Sequence, residues 1–236
     1  MKLLAFDTST DTMHVAVQHG DRVLAHQGPG GAQASAHLIA TVLDLLAQAG
    51  LALDALDALV FGRGPGSFTG LRTACSVAQG LAFGARGGAG LPVLPVDTLQ
   101  AVAEQARLDH GCTQVVATLD ARMGEVYSAA LQWQDGRWQQ QGDFALGAPE
   151  TVQLPAGWTL AGNARAAYGE RLAPQAPAEC IATALPTARA LLSLAPALLQ
   201  EGAAVAPDEA LPLYVRDKVA QTTQEREAAR RAAGKP

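Results

Sequence analysis

Val60-Phe61-Gly62-Arg63-Gly64-Pro65-Gly66-Ser67-Phe68-Thr69-Gly70-Leu71-Arg72 is the stretch whose residue types and spacing most invite a chemical reading. A short apolar run enters a glycine-dense turn, and a long apolar-periodic segment leaves it. Such a turn presents free amides at the positive end of a helix dipole, which attracts anions. Two nucleotide readings and one nucleophile reading fail. A GxxxxGK[ST] loop needs lysine beside serine or threonine, and no lysine lies between Lys2 and Lys218. A dinucleotide fingerprint fails because Gly70 follows Gly66 one residue too late. Ser67 is not the central residue of Gly66-Ser67-Phe68-Thr69-Gly70, as a nucleophile elbow requires. A structural turn and an anion site both stay open.

The elements around the turn follow from periodicity. Leu59 to Phe61 reads as a buried strand end, Pro65-Gly66 as the centre of a type II turn, and Ser67 as a helix N-cap using its hydroxyl. The helix then runs from Phe68 to Phe83, with Gly84 as its stop. Before it, Leu3 to Phe6 forms a strand covered on both faces that ends at Asp7-Thr8-Ser9-Thr10. Alternation from Thr12 to Gln18 gives a second strand, and Val23 to His26 a third. Ala34 to Ala49 reads as a helix with Leu38, Val42, Leu45 and Leu46 on one face, Ile39 and Leu43 off it, and Gly50 as its stop. Pro92 to Val96 is a further strand. Asp97-Thr98-Leu99-Gln100 resembles a capping box opening a third helix that ends near Gly111.

This βββαβαβα order then begins again. Val115 to Asp120 echoes the first strand and its terminal acid, Glu125 to Gln132 the second, and Asp135-Gly136 turns into a third around Arg137 to Gln141. Placing Asp120 on Asp7 puts Ala129 on Ala16. Two lobes, each presenting a hairpin with an acid, then face one another across a cleft. The second lobe is reduced: Trp158 to Ala161 is a strand, Ala188 to Gln200 a helix despite Pro196, and Leu211 to Arg216 packs back on the body. The expected boundaries are 1–110 for the first lobe, 111–218 for the second, and 219–236 for a polar, disordered tail.

The chain has 236 residues, is 49% hydrophobic, and carries a net charge of −5 from 17 Lys+Arg and 22 Asp+Glu. A protein that grips RNA by itself shows a basic face, so contact with nucleic acid is expected only through a partner. Cys75, Cys112 and Cys180 are odd in number and widely spaced, which speaks against a disulfide framework or a zinc cluster and for apolar filling. Without a signal-peptide pattern or an apolar run of about 18 residues, the expectation is a soluble, cytoplasmic protein with no membrane contact.

Asp7-Thr8-Ser9-Thr10, Gly64-Pro65-Gly66-Ser67-Phe68-Thr69-Gly70-Leu71-Arg72, Asp120-Ala121-Arg122-Met123-Gly124-Glu125-Val126-Tyr127 and Pro212-Leu213-Tyr214-Val215-Arg216 together resemble the signature segments of the TsaB family. These are bacterial accessory subunits of the tRNA threonylcarbamoyladenosine machinery, and the likeness runs from residue 1 to about 218. It implies an α/β fold of the actin, hexokinase and acetate-kinase superfamily, with a mixed five-stranded sheet and flanking helices in each lobe. It further implies a non-catalytic scaffold that binds TsaD, the paralogue that transfers threonylcarbamoyl to adenosine. TsaE docks on that pair, and the subunit forms a homodimer in isolation.

The resemblance carries over residue by residue. TsaD holds a metal through two histidines one helical turn apart. Here His37 is followed at i+4 by Thr41, so no metal, no cofactor and no catalytic residue is implied, and His37 becomes a capping or interface residue. Working phosphotransferases of the superfamily place glycine where Ser9 stands, so Asp7, Thr8, Ser9, Thr10 and Asp120 are implied to be relics of phosphate hairpins. Gly162-Asn163 is the one hint of an adenosine loop. Gly64, Pro65, Gly66, Ser67, Thr69, Gly70 and Arg72 make the signature turn. His37, Ile39, Leu43, Ala74, Ala78 and Leu81, on the first two helices, are the candidates for the TsaD interface. Competing readings are an ATP-dependent small-molecule kinase, resting on Asp7, Asp120 and the cleft, and a peptidase, for which no Ser-His pair or zinc motif is visible.

Overall fold

Two five-stranded mixed sheets with flanking helices make up the computed structural model, which describes residues 1–177 and 180–216. The expected tail lies outside the described residues. In the first half β1 (Lys2–Asp7), β2 (Thr12–His19), β3 (Arg22–Pro29), α1 (Ala34–Ala49), β4 (Ala58–Gly64), α2 (Phe68–Gly84), β5 (Val93–Asp97) and α3 (Thr98–His110) follow in the expected order. The second half contains β6 (Gln114–Asp120), β7 (Val126–Gln134), β8 (Arg137–Gly147), β9 (Thr159–Gly162), α4 (Ala164–Tyr168), β10 (Ile181–Ala182) and α5 (Ala188–Gln200). The sheets are ordered β3-β2-β1-β4-β5 and β8-β7-β6-β9-β10, the same topology with β1 and β6 at the centre. The second half is reduced because no counterpart of α1 stands between β8 and β9, and α4 is a short stand-in for α2.

Burial explains which strand faces which layer. Leu3 and Ala5 of β1 join Val115, Ala117 and Leu119 of β6 in one core with α3 and α5, which lie between the sheets. Leu4 and Phe6 point the other way, into a second core under α1 and α2. Val116 faces a smaller outer core that includes Ala164 of α4. β1 is therefore apolar on both faces, which is why its sequence reads as a continuous run.

The repeat is correct in topology and off by one residue at its acid. Ala5 pairs with Ala16, and Ala117 pairs with Ala129. All four side chains face the shared core, so Ala129 does fall on Ala16. Counting from these pairs, Leu119, not Asp120, falls on Asp7. Asp7 continues the inward row of β1, whereas Asp120 continues the outward row of β6. A one-residue slip reverses the face of every side chain, so the two acids are not counterparts.

Several local expectations need correction. The Gly64-Pro65 bond is cis and Gly66 has no positive φ, so the turn is not type II. Ser67 occupies the N-cap position of α2 without a side-chain cap bond, and Asp97 at the start of α3 likewise. Asp97 is instead drawn away by Arg63, 2.6 Å from its carboxylate. Gly84 is the last residue of α2 and not a left-handed stop, a role that Gly50 and Gly111 do play for α1 and α3. Of the cysteines, Cys75 is buried, with Cys112 and Cys180 half-buried.

One buried carboxylate ties the inter-sheet layer together. Glu104 of α3, fully buried, accepts from Arg107 at 2.7 and 2.9 Å, from Trp138 Nε1 of β8 at 2.9 Å and from Ser193 Oγ of α5 at 2.5 Å. The Arg107 guanidinium also stacks on Trp133 of β7, 4.1 Å from the ring centroid. Glu104→Ala leaves the buried Trp138 Nε1 without its acceptor and releases the half-buried Arg107 and the exposed Ser193, so urea unfolding should show a loss of about 1–3 kcal/mol. The exposed Arg137–Glu201 pair serves as the control, and Arg137→Ala should cost less than about 1 kcal/mol. Equal effects for the two variants would overturn this account of the layer.

Candidate functional site

The cleft lies where the C-terminal ends of β1, β4 and β6 meet. On one side is the β1–β2 hairpin. Its backbone is covered, because the signature turn packs directly on it: Ser67 N donates to Ser9 O at 2.7 Å, and Thr8 Oγ1 donates to Gly70 O at 2.6 Å. A Cβ on Gly66 would come within 2.6 Å of Ser9 Cβ, and one on Gly70 would collide with Thr8 O. These two glycines are thus required by close approach. Gly64 N donates to Thr98 Oγ1 at 3.0 Å, fixing the turn to α3. Thr10 Oγ1 bonds Thr12 N and O and stiffens the hairpin tip. Thr69 is exposed at the start of α2.

Asp7 is fully buried and sealed from the cleft. Its Oδ1 accepts from Ser9 N at 2.8 Å and Ser9 Oγ at 2.7 Å, while the carboxylate packs over Gly62, where any Cβ would collide with it. Its cross-strand neighbour is His14, also buried. Asp7 Oδ2 and His14 Nε2 have no hydrogen-bond partner among the described residues. Burial pushes the Asp7 carboxyl up to about 7, against the lowering effect of the Ser9 bonds. Burial pulls the His14 imidazole down to about 4. The two groups thus resist charging in opposite directions.

On the other side of the cleft Asp120 is committed to its own turn. Its Oδ1 accepts from Tyr168 Oη at 2.6 Å and from Arg122 N at 2.8 Å, and its Oδ2 lies 3.2 Å from Arg122 Nη1. Asn163 Oδ1 accepts from Asp120 N at 2.9 Å, so the Gly162-Asn163 segment also serves the chain's own backbone. Burial and the bond to Asp120 push the Tyr168 phenol up to about 12. The segment Leu211 to Arg216 does pack back, across the mouth: Leu213 N donates to Arg63 O at 2.7 Å and Arg216 Nη2 to Ala121 O at 2.9 Å. Arg72 stacks 3.9 Å over Phe68, and its Nε donates to Tyr214 Oη at 3.1 Å. A cavity of about 550 Å³ remains between the hairpins, with Leu71, Leu119, Tyr127 and Val215 among its lining.

Comparison with known proteins decides the family. A family model described as TsaD: tRNA N6-adenosine threonylcarbamoyltransferase matches residues 26–224. The tRNA threonylcarbamoyladenosine biosynthesis protein TsaB of Escherichia coli is 36% identical over 93% of this chain and 96% of its own length. The chain belongs to the TsaB family. TsaB of Haemophilus influenzae is 43% identical over 54% of this chain and 52% of its own. The solved structure of YeaZ from Pseudomonas aeruginosa superposes with a TM-score of 0.81 at 41% identity, covering 91% of this chain and 99% of that one. The actin-like fold class is therefore shared with a TsaB-type architecture.

The residues assigned to a partner surface of this TsaB chain divide in two. Ile39 and Leu43 are 48% and 53% exposed on α1, and His37 is exposed in its first turn without serving as the cap, a position held by Gln33. Leu81 is partly buried against the α1–α2 core. Ala74 and Ala78 are fully buried in that core and cannot line an outer face; their small size lets α2 sit close to the sheet. Phe83, 49% exposed and not among the sequence-based interface candidates, belongs to the outer side of α2. The Asp11–Arg122 bridge and the Arg216 contacts with the β6–β7 turn join residues 91 to 111 apart in sequence, and spacing gives no sign of them.

The opposed titrations make a pH test. Asp7 ionises near 3.8 unfolded and about 7 folded, so its contribution is complete below pH 4 and is lost as pH rises towards 7. His14, with an ordinary value of 6.5 and a folded value of about 4, contributes above pH 6.5 and loses that contribution as pH falls towards 4. The slopes offset one another in the native chain. Urea unfolding from pH 4 to 7 should therefore show stability rising with pH in Asp7→Asn and falling with pH in His14→Gln. Parallel profiles for both variants and the native chain would refute the assignment.

Proposed function

We propose that this TsaB chain is a non-catalytic scaffold that binds and supports TsaD while TsaD forms N6-threonylcarbamoyladenosine next to the anticodon of tRNA. The observation that carries the reading is the state of the cleft. Asp7 is sealed over Gly62, Asp120 is taken up by Tyr168 and Arg122, and the first hairpin is covered by the signature turn. Groups that a kinase would aim at phosphate and metal are here spent on the chain's own structure, as relics of two phosphate hairpins. The kinase reading would require these bonds to break before a nucleotide could enter.

The outer side of α1 and α2 supplies the partner surface. Ile39, Leu43 and Phe83 are large exposed apolar groups, and a Cβ on Gly80 or Gly84 of α2 would meet nothing within 4 Å among the described residues. Glycine inside a helix costs about 1 kcal/mol relative to alanine, so the uncompensated Gly80 on this outward face favours close approach by another helix. TsaD occupies this face in the complex, TsaE docks on the assembled pair, and a second copy of this chain covers it in isolation. An interface of that kind buries roughly 1,600 Å². With a net charge of −5, tRNA is reached through the partners, in the cytoplasm. Among the described residues, no helix is long and apolar enough to cross a membrane.

Reconstitution tests the role directly. Mixed with TsaD, TsaE, threonylcarbamoyl-adenylate components and unmodified tRNA, the chain should be required for modification while it neither modifies tRNA nor hydrolyses ATP alone. Micromolar ATP binding by calorimetry would favour the kinase instead. Leu43→Glu should abolish copurification with TsaD and lower modification by about tenfold or more, with unchanged thermal unfolding. Full copurification by a folded Leu43→Glu chain would remove α1 from the interface.

A further inference from the structure

The two sides of the cleft are joined by contacts that neither hairpin makes by itself, and most of them come from one extended segment. We infer that Leu213 to Arg216 is a built-in strap that binds both lobes at once and fixes the cleft angle, taking the place of an external ligand. On the first lobe, Leu213 N donates to Arg63 O at 2.7 Å, and Leu213 O packs so closely on Gly64 that a Cβ there would come within 2.5 Å of it. Tyr214 lies against Phe68 with ring centroids 5.5 Å apart and accepts from Arg72. On the second lobe, Arg216 donates to Ala121 O at 2.9 Å and to Met123 Sδ at 3.0 Å, and lies 2.8 Å from Glu125. Four residues thus span from β4 to the β6–β7 turn.

The turn that receives the strap is held in an unfavourable shape. Arg122 and Met123 have φ of 60° and 58°, followed by Gly124 at 78°. Consecutive non-glycine residues in the left-handed region persist only where surrounding contacts impose them. Bonds from Asp120 to Arg122 hold the turn from its own lobe, and two contacts from across the cleft add to them: the strap, and the ion pair in which Arg122 Nη2 meets both oxygens of Asp11 on the first hairpin, at 2.6 and 2.7 Å. The two bridges differ in weight. Arg122 and Asp11 side chains are 66% and 79% exposed, a setting in which ion pairs contribute little. The Arg216 side chain is only 11% exposed and donates to a backbone carbonyl as well as meeting a carboxylate, so the strap dominates.

The shared core of α3 and α5 forms the base on which the lobes pivot, and the strap bars opening at the other end. A strapped cleft holds the cavity of about 550 Å³ that it lines at one width without any bound molecule. Electron–electron distance measurement tests this. In the full chain with Cys112→Ser and Cys180→Ser, spin labels go on Gln33→Cys and Ala148→Cys, exposed positions on opposite rims. The strapped chain should give one narrow distance. Arg216→Ala should raise a longer-distance population about tenfold and Asp11→Asn about threefold, with the double variant showing the product, because both bridges oppose the same opening. Asp11→Asn alters only an exposed side chain, so it reads out even where Arg216→Ala fails to fold. An unchanged narrow distance in Asp11→Asn and in every folded Arg216→Ala chain would overturn the strap.

Discussion

The close packing of the signature turn on the first hairpin is the contact on which the rest of the cleft depends. Gly66 against Ser9 and Gly70 against Thr8 leave no room for a Cβ, and the backbone bond between Ser67 N and Ser9 O closes the gap further. This contact sets where α2 begins. It thereby sets where Phe68 and Arg72 stand to receive Tyr214, and how far Arg63 O projects towards Leu213. It also covers the carbonyls of Thr8 and Ser9 in the hairpin. The same glycines that would let a backbone approach phosphate let one backbone approach another. A glycine-rich turn after a strand is therefore ambiguous until the opposite surface is known. Here that surface is protein.

The inter-sheet layer answers a different requirement. α3 and α5 must bury apolar surface against both sheets, and the layer is mostly alanine, leucine and valine. Such a layer is weakly specified, since small apolar residues slide past one another with little change in contact. Glu104 supplies direction. Its four bonds reach β8, α5 and its own helix, and the buried Trp138 Nε1 among them would cost free energy if left unpaired. Glu104 thus ties α3 to α5 and to the second sheet.

How much of this was legible in the sequence differs by scale. β1, α1, α3, α5 and the strand order were readable because continuous apolar runs, helical periodicity and the glycines Gly50 and Gly111 are local signals. The duplication was readable in topology, but the acids were mismatched. Asp120 looks like Asp7 in a linear comparison, and only the pairing register shows that they face opposite sides of their sheets. The caps at Ser67 and Asp97 failed because a tertiary partner outbid the local bond: Asp97 turns to Arg63, and Ser67 is held through its backbone. Ala74 and Ala78 were misplaced because two apolar lines on one helix do not say which faces inward. The Asp11, Arg122 and Arg216 bridges carried no local signature at all, since their partners are brought together only by the folded cleft.

Helix α2 shows how one element meets two demands. Its inward line of Leu71, Ala74, Cys75, Ala78 and Ala82 lets it lie close to β4, and that line is satisfied within the chain. Its outward line includes Gly80 and Phe83, which no contact among the described residues explains. Helix propensity opposes Gly80, and an exposed Phe83 gains nothing from water. A helix selected only for the stability of this fold would carry alanine at 80 and a polar residue at 83. The chain thus tolerates a loss in its own stability on the face where the proposed second helix would recover it, through backbone approach at Gly80 and burial of the ring. The cleft shows the reverse: Asp120, Asn163, Arg122 and Arg216 all bond within the chain. An apolar helical face without a partner among the described residues, beside a cleft whose charged groups pair internally, supports the proposed binding role.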